Sequence, residues 1–169
     1  MRRHISSREV QELGCRTLLD LAKLGALDQE RIVSAGGVPL VVSAMDAFSH
    51  SKEMQELCPR VLLVLASEVE KTRAQIVKAR GINVVIAAMR NLGSEHGVQE
   101  TCCRLLANVG SDGEYAQLAL AEAGGIEAAV AAMQMHISKK QIQTQAFRSF
   151  PLAMRQSRAG GLADAFVMS

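Results

Sequence analysis

Tryptophan is absent, tyrosine occurs once, at Tyr115, and aromatic residues make up 3% of the 169-residue chain. Recognition of nucleic-acid bases needs stacking aromatics or a strong basic field. A formal net charge of +2 does not provide that field, so no nucleic-acid partner is expected. No apolar run approaches the roughly 18 residues needed to cross a bilayer, and the opening MRRHISSREV has basic residues with no apolar stretch after them. Neither a membrane span nor a secretory signal is expected. What remains is 49% hydrophobic, so the core has to be built from Leu, Val, Ile, Ala and Met, which suits closely packed helices.

The chain matches itself at an offset of 44 residues: VQELGCRTLLDLA (10–22), MQELCPRVLLVLA (54–66), VQETCCRLLANVG (98–110) and IQTQAFRSFPLAM (142–154) align without insertion. The same step carries Ile32 onto Ile76 and Leu120, Gly37 onto Gly81 and Gly125, and Met45 onto Met89 and Met133. A fixed period of roughly 20–50 residues marks a solenoid, in which each unit buries its apolar face against its neighbours.

Each unit is predicted to hold three helices. Val10, Leu13, Thr17, Leu18 and Leu21 recur at spacings of three and four, defining an apolar face on a long helix over about 6–24. Ser6 with Glu9 is read as its capping box. Asp28 is expected to cap a short helix ended by Gly36 and Gly37, and a medium helix follows from about Val38 to Phe48, with Pro39 in its first turn. Similar boxes are read at Ser67 to Glu70, Ser111 to Glu114 and Ser138 to Gln141. The glycine corner at Gly36, Gly37, Gly81, Gly124 and Gly125 supplies positive φ and close helix approach. Arg80 replaces the first glycine of the second unit, so the second position is expected to be the stricter one. Pro59 and Pro151 fall inside long helices, where a kink and an early break are expected.

The pattern Ile-Val-x-Ala-Gly-Gly-Val/Ile, an apolar helix, then Val-Gln-Glu-x-x-x-x-x-Leu-x-x-Leu-Ala resembles the armadillo repeat family over nearly the whole chain. The resemblance implies an all-α, right-handed superhelical solenoid of about three and a half 44-residue, three-helix repeats. It also implies a concave groove, lined by the long third helices, that binds extended peptides or partner proteins. The expected organisation is a single domain over 1–169, with a partial unit at about 1–24, units at 25–67, 68–110 and 111–155, and a degenerate C-terminal cap at 156–169. Gly160 and Gly161 come eight residues before the period requires. Such an end fits either a cap or a piece of a longer repeat protein.

Within the groove, the position that is commonly Trp in armadillo proteins gripping import-signal-like peptides reads Arg16, Arg60, Arg104 and Arg148. The position one turn later, commonly Asn, reads Asp20, Val64, Asn108 and Leu152. This departure argues against a basic-peptide ligand, because guanidiniums favour carboxylates or phosphates. Glu12, Glu56 and Glu100 precede three of the arginines by four residues, and such pairs stabilise a helix by about 0.2–0.5 kcal/mol with no ligand at all. Both readings stand at this level.

Cys15, Cys58, Cys102 and Cys103 fall on or beside the repeated apolar side and are expected as buried thiols of a reducing compartment. The expected location is therefore the cytoplasm, with the nucleus not excluded. Cys15 and Cys103 are two repeats apart, whereas thiolates sharing a zinc sit about 2.3 Å from it. No metal or other cofactor is expected. His50, His96 and His136 are read as solvated loop histidines, and no convergent acid, base and nucleophile suggest an enzyme.

The function expected is therefore a protein-interaction scaffold taking an extended segment, acidic if the arginines are its ligands. The alternative is a structural element joining others through its ends. On that view Val10, Leu13 and Leu18 lie uncovered and make the N-terminal end self-associate, while Phe147, Phe150 and Phe166 cap the other end.

Overall fold

The computed structural model describes residue 1 and residues 4–149. Among these residues there are ten helices and no strand. A long helix, α1 (Arg8–Ala22), comes first. Three short, medium and long triplets follow: α2 (Ala26–Ser34), α3 (Gly37–Ala47) and α4 (Lys52–Glu68); α5 (Glu70–Lys78), α6 (Gly81–Asn91) and α7 (His96–Gly110); α8 (Glu114–Glu122), α9 (Gly125–Met135) and α10 (Lys140–Ser149). Long helices pack side by side in the order α1, α4, α7, α10, and the medium helices do the same in the order α3, α6, α9. Met45, Leu62, Leu65, Ile86, Leu105 and Leu106 fill the continuous core between them.

The helix starts differ in detail from the sequence expectation. Ser7, not Ser6, caps α1: its hydroxyl accepts the Val10 N–H at 3.4 Å and donates to Glu9. Ser51, one period later, caps α4 in the same way. Gly25 precedes α2, and Asp28 sits inside the first turn. Ser67 and Ser111 finish long helices instead of opening short ones, donating to the Val64 and Asn108 carbonyls. Ser138 falls in the turn before α10.

The corner separates two demands that the glycine pair had merged. Gly36 (φ 80°), Arg80 (φ 60°) and Gly124 (φ 79°) hold the left-handed conformation, so positive φ belongs to the first position. The second position is buried and opens the medium helix. A Cβ on Gly81 would lie 2.8 Å from Ile76 Cγ2 and 3.0 Å from the Ile76 carbonyl oxygen, and one on Gly37 would be as crowded by Ile32. A left-handed L-residue costs about 1–2 kcal/mol, which Arg80 tolerates, whereas crowding against backbone has no rotamer escape.

Two ladders of buried amides tie helix ends together. Gln55 Nε2 donates to the Met45 and Phe48 carbonyls (2.7 and 3.0 Å), and Gln99 and Gln143 repeat this on Met89 with Leu92 and on Met133 with His136. The Met45, Met89 and Met133 carbonyls stand in the last turn, where a helix leaves its carbonyls without intrahelical partners, while Phe48, Leu92 and His136 also accept the backbone N–H three residues on. Gln11 does the same for Met1 and His4, so the first turn stands where later units place the end of a medium helix. In the second ladder Gln29 and Gln117 reach back to the Ala22 and Gly110 carbonyls. Arg73 takes that position in the second triplet, bonding the Ala66 carbonyl and Asp112 (2.8 Å) together.

Two further expectations are corrected. The buried side of α1 is Gln11, Cys15, Leu19 and Ala22, while Val10, Leu13 and Leu21, on the expected core face, are exposed. His136 is buried and sits 2.8 Å from the Gly93 carbonyl through Nε2, so it is no solvated loop residue; His50 and His96 are exposed. Helix α4 spans Lys52–Glu68 with Pro59 inside it. Pro151, Leu152, Phe150, Phe166, the Gly160–Gly161 pair and the cap at 156–169 lie outside the described residues, as does the Phe147 side chain.

Candidate functional site

Because the long helices lie in register, residues one period apart line up across them. Between α1 and α4 lies a cleft of about 330 Å³ bounded by Arg16, Leu19, Asp20, Glu53, Glu56, Leu57 and Arg60. Between α4 and α7 a larger one, about 590 Å³, is bounded by Arg60, Leu63, Val64, Glu100, Thr101 and Arg104, with Lys52, Glu95 and His96 at the helix starts. Arg60 faces both. Arg16, Asp20, Arg60 and Arg104 are thus brought to one face, whereas Asn108 on α7 and the exposed Arg148 on α10 line neither cleft.

The arginines differ in partnership. Arg16 Nη2 sits 2.7 Å from Glu12, the intrahelical pair anticipated from the spacing. Arg60 and Arg104 make no ion pair with any described residue, although Glu56 and Glu100 stand one turn before them. Asp20 is turned to Lys23 at 3.3 Å. The helix pair α4 and α7 is bridged at its start by Lys52 and Glu95, 2.6 Å apart, and the Glu95 carboxylate holds the Lys52 ammonium above its ordinary range.

The sequence reading placed Val64 in the groove but missed this bridge and the apolar lining of Leu19, Leu57 and Leu63. Its signal was present in Arg8, Lys52, His96 and Lys140, which step by 44 along the first turns of the long helices. All four thiols are buried as expected. Cys102 and Cys103 point to different faces of α7, and both faces are covered because α7 lies between α4 and α10. Burial pushes Cys103 up to about 12 and Cys102 higher still.

Stacked helical triplets with aligned long helices and clefts between them define a helical-repeat solenoid. The family model described as LRRK2 ARM repeat matches residues 1–156, and the chain belongs to this armadillo-repeat family. Two crystal structures of engineered proteins from the Northeast Structural Genomics Consortium share the fold. One is 28% identical with a TM-score of 0.72, covering 92% of this chain and 59% of its own. The other is 29% identical with a TM-score of 0.72, covering 85% and 33%. The chain therefore spans less than two thirds of either. No curated protein matches it. Among the described residues no helix is long and apolar enough to cross a membrane.

Proposed function

We propose that the protein is a non-catalytic interaction scaffold that binds an extended, acidic segment of a partner protein along the face of α1, α4, α7 and α10. In this reading the units stack as a right-handed superhelix of about three and a half repeats in one domain, and that face is concave. The observation that carries it is the pair Arg60 and Arg104: both are exposed, both border the larger cleft, and neither is neutralised by a described residue. Guanidiniums without partners suit the planar, bidentate geometry of a carboxylate. Arg16 and Arg148 extend the row, and Asp20 and Asn108 supply polar contacts one turn on. Glu56 and Glu100 also line the cleft, so the ligand is selected by carboxylates spaced to meet the arginines, not by a uniformly positive field.

Titration of an acidic peptide against wild type and Arg60→Glu/Arg104→Glu tests the groove. Affinity should fall roughly tenfold or more in the variant and weaken with salt in the wild type, because exposed charges are screened over about 8–10 Å. Equal affinities would leave the arginines as helix-surface charges only.

A second reading has its own support. Val10, Leu13 and Leu21 are 36%, 67% and 42% exposed, and contiguous apolar patches mark contact sites. On this reading the open side of α1 takes a second copy of the chain. Sedimentation should show association that rises with concentration and is lost in Leu13→Glu/Leu21→Glu; a strict monomer removes it.

A further inference from the structure

The four thiols are not equivalent. Cys15 on α1 and Cys58 on α4 lie 43 residues apart in sequence, yet their sulfurs are 3.6 Å apart across the boundary between the first two long helices. Neither side chain is exposed. Cys102 and Cys103, adjacent on α7, point to different faces of that helix. The register explains the juxtaposition: Cys58 repeats the position of Gly14, so a sulfur from the second long helix meets the residue after it on the first.

We propose that Cys15 and Cys58 form an oxidisable dithiol site that closes to a disulfide under peroxide and staples α1 to α4. The Cys15 thiolate attacks one oxygen of hydrogen peroxide, the O–O bond breaks, and with one proton taken up the products are a sulfenic acid on Cys15 and water. The Cys58 sulfur then attacks the Cys15 sulfur, the S–O bond breaks, and the Cys58 proton leaves with the hydroxyl as a second water. Two electrons pass from the sulfur pair to the peroxide.

The geometry demands little. A disulfide needs its sulfurs about 2.05 Å apart, so the pair must close by roughly 1.5 Å, within the reach of side-chain rotation and a small helix shift. Ionisation is divided unevenly: the first proton leaves more readily because the remaining S–H donates to the thiolate, which lowers Cys15, while that same hydrogen bond, and then burial, hold Cys58 well above the ordinary thiol range. Access follows from the position of α1. Among the described residues it packs on α2, α3 and α4 with Val10, Leu13 and Leu21 exposed, whereas α4 and α7 each have a long helix on both sides, so it is held by fewer neighbours than they are. Cys102 and Cys103 lie in a helix held on both sides.

Peptide mapping of the intact protein decides the matter, and it needs no groove ligand. After mild peroxide treatment, unfolding, alkylation of free thiols and trypsin digestion without reductant, the folded protein should yield peptide 9–16 joined to peptide 53–60, lighter by two hydrogens. The peptide carrying Cys102 and Cys103 should be fully alkylated. The linked form should melt higher by roughly 5 °C or more, as expected for a cross-link closing a loop of this length, and the gain should vanish with reductant and in Cys15→Ala. The proposal is overturned if the linked peptide is no more abundant from folded than from urea-unfolded protein. Oxidation of Cys102 and Cys103 as fast as Cys15 and Cys58 also overturns it.

Discussion

Helices α1 and α4 carry nearly the same pattern, and their apolar residues meet opposite fates. Val10, Thr17 and Leu21 are exposed on α1; their counterparts one period on, Met54, Val61 and Leu65, are completely buried. Val98, Leu105 and Val109 on α7 are buried as well. What differs is the neighbour: α4 has α1 and α3 on one side and α7 on the other, while α1 is packed on one side. The 44-residue pattern thus encodes an interface between units, and a helix shows its apolar face to solvent wherever that interface is not made.

The largest expected effect sharpens this contrast. Leu65→Ala removes a fully buried side chain and should cost about 2–5 kcal/mol, whereas Leu21→Ala, at the same repeat position, should cost less than about 1 kcal/mol. Chemical denaturation of both variants measures it. Equal losses would mean that the open face of α1 is covered in solution.

Corner substitutions come next. Gly81→Val places a branched side chain against Ile76 and its carbonyl and should destabilise by about 1–3 kcal/mol. Gly36→Asn, which only has to hold positive φ, should cost about 1 kcal/mol or less. A Gly81→Val midpoint equal to wild type would break the assignment of close packing to the second position.

The amide ladder gives a smaller comparison between the same two regions. Gln55→Met leaves the Met45 carbonyl without its described partner beside a buried side chain, while the Phe48 carbonyl keeps the Ser51 N–H, and about 1–2 kcal/mol is expected. Gln11→Met leaves the Met1 and His4 carbonyls with the His4 and Ser7 N–H groups they already accept, in an exposed first turn where water replaces the amide, and should cost a few tenths of that. Hydrogen exchange at the end of α3 should quicken in the first variant and stay unchanged in the second.

The helical plan was open to sequence reasoning because a period repeated four times averages out local ambiguity, and the helices fall within two residues or so of expectation. Three things were hidden. Ser6 and Ser7 are chemically equivalent as caps, and only the backbone trajectory chooses between them. Helix α1 has two apolar rows, Val10–Leu21 and Cys15–Ala22, and periodicity cannot say which one a neighbour will cover. His136 looks like a loop residue until the turn of the preceding unit brings the Gly93 carbonyl to its ring. For the site, the arginine row was readable from the 44-residue step, but whether each pairs with its glutamate was not. That depends on rotamers, which close the pair at Arg16 and leave Arg60 and Arg104 apart.

The smallest effect reverses sign. Arg80 is the sole described residue other than glycine with positive φ, at a place where the first and third corners have Gly36 and Gly124. Arg80→Gly relieves about 1–2 kcal/mol of left-handed strain but gives the unfolded chain more freedom to lose, which returns roughly half of it. A net gain of about 0.5–1 kcal/mol is expected, seen as a higher denaturation midpoint at unchanged slope. The Arg80 side chain is exposed and carries no described ion pair that the change would sacrifice. A loss of stability would mean that the guanidinium holds a contact outweighing its backbone strain, and the second corner would then differ from the other two in more than its φ.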